Sequence, residues 1–160
     1  ARDFSGRDNN VVCVIGDGRE HLAALVAIDM EACGHWAQEN DVAYTSFSDL
    51  SQKPQIYELI EGVVAHVNGV LPAGTQITRF VNLHKAFDPD DGEITRTRKL
   101  RRGTIAAHYK AIIDTIYAGD DAIDFEATIT YETGDTGVLK RTLAIRDVRG
   151  AQSATGRRAA

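Results

Sequence analysis

The sequence has little of what would mark a secreted, membrane-spanning or metal-bound chain. Only two of its 160 residues are cysteine, Cys13 and Cys33. Neither lies in a Cys-x-x-Cys pair or another zinc spacing, which removes a structural zinc site. No charged-then-apolar leader opens the chain, so both thiols are expected to be reduced and the protein, or fragment, cytoplasmic. No apolar run approaches the ~18 residues that a membrane helix needs. His21, His35, His66, His84 and His108 are scattered with no pair at metal spacing, and each is expected to be structural or superficial. Gly16-Asp17-Gly18 lacks the third glycine of a dinucleotide fingerprint. Ser5, Ser46 and Ser51 lack the context of a nucleophile elbow. Asp88, Asp90, Asp91 and Glu93 miss the twelve-residue calcium pattern and read as a solvated turn. There is no internal repeat, and Trp36 reads as a packing residue.

What is present is ordinary globular material. Apolar residues make up 43% of the chain and charged residues 26%, enough for one domain with a real core. The formal net charge of −5 argues against a dedicated nucleic-acid binder, whose domain is usually basic.

Period and punctuation outline the elements. Val11 to Ile15 is a β-branched run that ends at Gly16-Asp17-Gly18, a buried strand followed by a turn. His21 to Ile28 reads as the second strand of that hairpin, with a helix as the alternative because Leu and Ala are good helix formers. Met30 to Asn40 reads as a short helix. Ser48-Asp49-Leu50-Ser51 offers caps, and Pro54 suits the first turn, of a helix carrying Ile56, Leu59, Ile60, Val63, Val64, Val67 and Leu71 at three-and-four spacing, ended by Gly69 and Pro72. Gln76 to Phe87 reads as a strand in which Arg79 breaks the apolar row, which suggests an edge or a half-covered position. Asp88 to Gly92 is a turn. Ile105, Tyr109, Ile112, Ile113 and Ile116 share one face of a single helix closed at Gly119. Ile123 to Tyr131 then alternates with period two, and so does its partner around Leu139, Leu143 and Ile145, joined by a turn at Thr133 to Gly137. The expectation is an α+β fold: a small mixed or antiparallel sheet flanked by helices, with the helices on a face and a C-terminal β-hairpin extension. In domain terms, 1–10 reads as a flexible or truncated segment, 11–119 as the main unit, 120–149 as its hairpin extension and 150–160 as a disordered tail.

The densest chemical signal is Gly92-Glu93-Ile94-Thr95-Arg96-Thr97-Arg98-Lys99-Leu100-Arg101-Arg102. Five of the seven positions from Arg96 to Arg102 are basic in a chain that is acidic overall. Like charges this close repel one another, so such a cluster often marks a place that an anion visits. A solvated helix start is the plainer reading, but cations are unwelcome at the positive end of the helix dipole. A lysine, a compact charge on a long flexible stem, suits a reach across a gap to a phosphate or carboxylate.

This segment resembles the final motif of the AMP-forming long-chain acyl-CoA synthetases, whose pattern is close to Gly-Glu-Leu-Thr-Pro-Thr-x-Lys-x-Lys-Arg. Other stretches agree in order. Val11 to Gly18 with Arg19 resembles the family's strand and Gly-Asp-x-Arg turn, and His21 to Ile28 its next strand. Asn68 to Leu83 resembles its Asn-x-x-Leu, Ile-x-x-Phe and Leu segment. The resemblance spans roughly Val11 to Gly119. It departs from the pattern at Arg96, which replaces a proline, and at Arg101, which replaces a lysine. Ala1 to Asn10 does not match the family's hinge. The hairpin from Ile123 to Val148 lies beyond the core resemblance and looks similar to an extension in some bacterial members.

The resemblance implies a C-terminal cap domain that donates Lys99 as the catalytic lysine, with Thr95, Thr97, Arg98 and Arg102 near substrate or nucleotide. It also implies a missing N-terminal adenylation domain that holds fatty acid, ATP with Mg, and coenzyme A in the intact enzyme. The fragment alone is then expected to bind no cofactor and to be inactive. No nucleic acid and no transmembrane segment are expected, and peripheral membrane association of the intact enzyme is left open. The alternative is a non-enzymatic nucleotide- or RNA-binding module built on the basic loop 96–102. Against it stand the acidic balance and the lack of an exposed aromatic platform beside the loop.

Overall fold

The computed structural model describes residues 10–16, 18–19, 21–72, 75–97, 99–130 and 133–148, less the side chains of 127–130 and 139. Expectations for 1–9, Arg98, Tyr131 and 149–160 lie outside the described residues. The strands are β1 (Val11–Ile15), β2 (Leu22–Ala27), β3 (Ile77–Asn82), β4 (Ala122–Thr130) and β5 (Thr136–Asp147). They form one mixed sheet in the order β1-β2-β3-β5-β4. β1 and β2 are the expected antiparallel hairpin, and β4 and β5 are the second. β2 and β3 run parallel. A parallel pair needs a long crossover, and three helices supply it: α1 (Met30–Glu39), α2 (Phe47–Ser51) and α3 (Pro54–Val70). Two more, α4 (Arg102–His108) and α5 (Lys110–Ala118), lie between β3 and β4.

Helices cover both faces of the sheet rather than one. Ala24 and Val26 of β2 face α1 to α3, packing with Cys33, Leu50, Ile56, Ile60 and Val64. Ala23, Leu25 and Ala27 face the other way, onto Ile105, Tyr109, Ile112 and Ile116 of α4 and α5. β2 is therefore apolar at every position, because a strand between two helical layers has no wet side. Each of the fully buried Val, Leu and Ile side chains among these contributes about 1.5–3 kcal/mol. Cys13 and Cys33 are both buried, one in each core, with the sheet between them.

Three expectations are corrected. Ser48 to Ser51 does not cap the long helix. It forms α2, capped by Ser46, whose Oγ accepts the Asp49 N–H at 3.1 Å. α3 begins at Pro54 with no side-chain cap. β3 is not an edge strand, since it lies between β2 and β5, and Arg79 is buried. Its guanidinium donates to the carbonyls of Ile116 and Asp120 at the C-terminal end of α5, where a cation meets the negative end of the helix dipole. The single helix over Ile105 to Ile116 is instead two. They meet at Tyr109 (φ −109°, ψ 22°), whose ring packs against His84, Phe87 and Phe125. α5 ends as expected at Gly119, with φ 90° in the left-handed region.

β5 meets β3 only at residues 145–147 but runs beside β4 over 136–144. The far part of that hairpin thus continues past the other three strands.

Candidate functional site

The basic segment folds as a small clasped loop on the α4–α5 side of the sheet. Its two ends meet in an antiparallel bridge between Ile94 and Leu100. Ile94 is buried and Leu100 packs against the same core, so the loop is nailed at its base by apolar burial. Within it the Thr95 N–H donates to the Lys99 carbonyl at 2.8 Å, and the Lys99 N–H returns a bond to Thr95 Oγ at 2.9 Å. The hydroxyls of Thr95 and Thr97 lie 3.0 Å apart. The Arg101 N–H donates to the Glu93 carbonyl at 2.9 Å and passes the chain into α4.

Lys99 is exposed at the rim of this clasp, and among the described residues no carboxylate pairs with its ammonium. The backbone of Lys99 is fixed while its side chain is exposed, the arrangement a mobile donor needs. Arg96 and Thr97 are exposed beside it, and Thr95 is half-buried. Arg98 lies outside the described residues.

Arg102 serves a different place. It opens α4, and its guanidinium donates across to the Val14 carbonyl of β1. There it lines a groove of about 910 Å³ between the β1–β2 turn and the α4–α5 pair. Arg19, Lys110, Asp114 and Tyr117 line the same groove. Arg19 stacks over the Tyr117 ring at 4.7 Å and pairs with Asp114 at 3.3 Å, which Lys110 also holds at 2.6 Å. The basic cluster of the sequence is thus split between a lysine loop and a groove wall.

Sequence reasoning missed the support beneath the loop. Gly92 turns the chain at φ +74°, a conformation that disfavours any Cβ, and delivers Glu93 into the interior. Glu93 is 1% exposed. Its Oε1 accepts from the Asp88 N–H at 3.0 Å and from Lys85 Nζ at 3.3 Å, and its Oε2 faces His108 Nδ1 at 3.1 Å. Burial pushes this carboxyl up, but the hydrogen bonds from His108 and Asp88 and the charge of Lys85 outweigh it and hold it below the usual range. Lys85 also pairs with Asp91 at 2.9 Å. Burial opposes its charge, and the two carboxylates restore it and raise its pKa. Glu93 was legible only as one letter of a motif. Its partners stand eight residues before it and fifteen after, at no helical or strand period.

No family model matches the chain, and no solved structure does so at a significant level. Individual proteins do. The chain is 36% identical over 110 residues, 69% of its length, to a protein of Mycobacterium tuberculosis named as fatty-acid–CoA ligase FadD11. It is 33% identical over 105 residues, 65% of its length, to the long-chain-fatty-acid–CoA ligase FadD15 of the same organism. Over 69 residues, 42% of the chain, it is 36% identical to the long-chain-fatty-acid–CoA ligase ACSBG2 of Gallus gallus. The matched segments are 19%, 18% and 9% of those relatives, so the chain spans only a minor part of the length of the curated proteins it matches.

Proposed function

We propose that this chain, which is similar over most of its length to fatty-acid–CoA ligases, is the C-terminal, lysine-donating domain of a long-chain fatty acid–CoA ligase. In this reading 11–119 is the cap domain, 120–149 its hairpin extension, and the adenylation domain that holds ATP, Mg and the fatty acid is a separate part of the intact, cytoplasmic enzyme. Coenzyme A is the second substrate. The observation that carries the proposal is Lys99: an exposed ammonium, unpaired with any carboxylate among the described residues, on a loop whose backbone is clasped at both ends.

The reaction has two halves. The fatty acid carboxylate attacks the α-phosphorus of ATP, an acyl–phosphate bond forms, and the bond to pyrophosphate breaks. The coenzyme A thiol then displaces AMP from the acyl-adenylate. Lys99 serves the first half, holding carboxylate and nucleotide oxygens in line and compensating negative charge as the bond to pyrophosphate breaks. One well-placed donor of this kind contributes about 10²–10³ in rate. Thr95 and Thr97 shape the loop, Arg98 adds positive charge beside Lys99 in the sequence, and Arg102 belongs to the neighbouring groove wall.

The test joins this chain to a matching adenylation domain and follows fatty-acid-dependent pyrophosphate release. Release is expected to require both the chain and Lys99. Lys99→Ala should slow acyl-adenylate formation about 10²-fold or more and spare thioester formation from preformed adenylate. Equal loss in both halves would show that Lys99 has another role. The nucleic-acid alternative draws no support from the relatives, each of which is named as a ligase.

A further inference from the structure

We propose that Glu93 is the positioning residue of the lysine loop, its buried carboxylate tying together the three segments from which Lys99 projects. The inference rests on the catalytic reading of Lys99 and deepens it. Among the described residues Glu93 is the only buried carboxylate. A buried charge pair is poor value for stability alone, because desolvation offsets most of what the pair gains. An apolar side chain at this buried position would avoid that cost. What a carboxylate adds is direction. It accepts bonds from Lys85 after β3, from the Asp88 N–H in the turn, and from His108 near the end of α4.

The backbone of Glu93 completes the junction. Its N–H donates to the Asp88 carbonyl at 3.1 Å, and its carbonyl takes the Arg101 N–H at 2.9 Å. Both strands of the Lys99 clasp therefore depart from one residue. If the Glu93 side chain lets go, the turn at 88–92 and the end of α4 are released relative to each other. The Thr95–Lys99 clasp then loosens with the segments it stands on and loses its aim. Misplacement by about 1 Å is enough to cost about 10² in rate where geometry is the catalyst.

The experiment uses the intact ligase that contains this chain, with Glu93→Gln, Lys99→Ala and the double variant. Glu93→Gln keeps the size and one acceptor of the side chain but loses its charge. It is expected to slow acyl-adenylate formation about ten- to a hundredfold and to leave thioester formation from preformed adenylate within about twofold. In the Lys99→Ala background it should add less than about twofold, because the two residues act as one unit. A proportionate loss in both halves, or a full effect that persists without Lys99, would mean that Glu93 is merely structural and would overturn the proposal. Should Glu93→Gln fail to fold, His108→Ala removes one donor from the exposed side. A roughly threefold to tenfold adenylation defect with the same non-additivity is then expected, on the order of one ordinary hydrogen bond, and no defect would count against Glu93. Amide exchange at Lys99 and Arg101 separates this proposal from the one it rests on. Exchange at both is expected to quicken about tenfold or more in Glu93→Gln, whatever Lys99 does in catalysis, and unchanged exchange would overturn the positioning role. If Lys99→Ala leaves pyrophosphate release intact, the catalytic reading of Lys99 falls instead.

Discussion

Thr95 grips Lys99 from both sides of the backbone: its N–H donates to the Lys99 carbonyl at 2.8 Å, and its hydroxyl accepts the Lys99 N–H at 2.9 Å. The second bond can be removed without touching the first. Thr95→Val keeps shape and β-branching and loses the hydroxyl, together with its contact to Thr97. One neutral hydrogen bond contributes about 0.5–1.5 kcal/mol, so global stability should fall by no more than that. Adenylation should fall about three- to tenfold if the clasp holds Lys99 on target. Urea melts and pyrophosphate release, measured on the same preparations, check the two numbers. A stability loss with unchanged adenylation would detach the clasp from catalysis.

Arg79 makes the opposite prediction, a structural effect with no catalytic signature of its own. Its guanidinium caps the C-terminal carbonyls of α5 from within β3. Arg79→Met keeps the buried stem and strips the carbonyls of Ile116 and Asp120 of their donor. Hydrogen bonds from a charged group contribute about 1.5–3 kcal/mol, and a loss of that size is expected in urea unfolding. Both half-reactions should change alike in the folded variant. A selective adenylation defect would mean that α5 reports to the lysine loop.

Arg79 also shows where sequence reading stops. Period two placed β4 and β5, and period three-and-four placed α3, because those patterns are local consequences of one dry side and one wet side. The same logic misjudged Arg79, since nothing within β3 announces a helix end arriving from 37 residues further on. The apolar run of β2 did carry a signal that was not followed through: a strand with no polar face needs helices on both sides. At the site, Lys99 was legible from a motif and from charge crowded into an acidic chain. Glu93 was not, because burial is set by what packs over a residue, and its side-chain partners Lys85, Asp88 and His108 come from three separate segments. The bend at Tyr109 was hidden for the same reason, since the five apolar positions keep a single face through it.

His84 should shape the acid limb of stability. It is buried, its Nδ1 is without a hydrogen-bond partner among the described residues, and its ring lies 4.7 Å from that of Phe125. Burial, reinforced by the charge of Lys85, depresses its pKa from 6.5 to about 4. The unfolded chain therefore takes up the proton first. The stability that goes with neutral His84 is complete above pH 6.5 and drains as pH falls towards 4, by up to about 3 kcal/mol. His84→Phe should flatten that window. Glu93, held below the usual carboxylate range, loses its contribution only below pH 4.5, so the two effects separate along the pH axis. A wild-type stability that stays level between pH 6.5 and 4.5 would contradict the assignment to His84.

Tyr57 should shape the alkaline limb. Its hydroxyl reaches from α3 beneath the sheet, donates to the Ala144 carbonyl of β5 and accepts the Asn82 N–H of β3 at 3.2 Å. Gln52 bridges the same two strands, from its Nε2 to the Asn82 carbonyl at 2.7 Å and from the Ala144 N–H to its Oε1 at 3.0 Å. This network fastens β5 to β3 where their own ladder is short. Burial, opposed by the hydrogen bond from the Asn82 N–H and by the bond between the hydroxyl and Gln52, raises the Tyr57 phenol from 10.0 to about 12. A raised folded pKa means that the neutral form is the one the fold favours. The associated stability is whole below pH 10 and is lost as pH climbs to about 12. At pH 7, Tyr57→Phe leaves the Ala144 carbonyl and the Asn82 N–H short of a partner and should cost about 1–3 kcal/mol. Tyr109, also raised by burial, titrates in both proteins, so the informative quantity is the stability gap between wild type and Tyr57→Phe. That gap should narrow steadily between pH 10 and 12 in urea titrations. A gap that stays constant would mean that the Tyr57 hydroxyl ionises as readily in the folded chain as in the unfolded one.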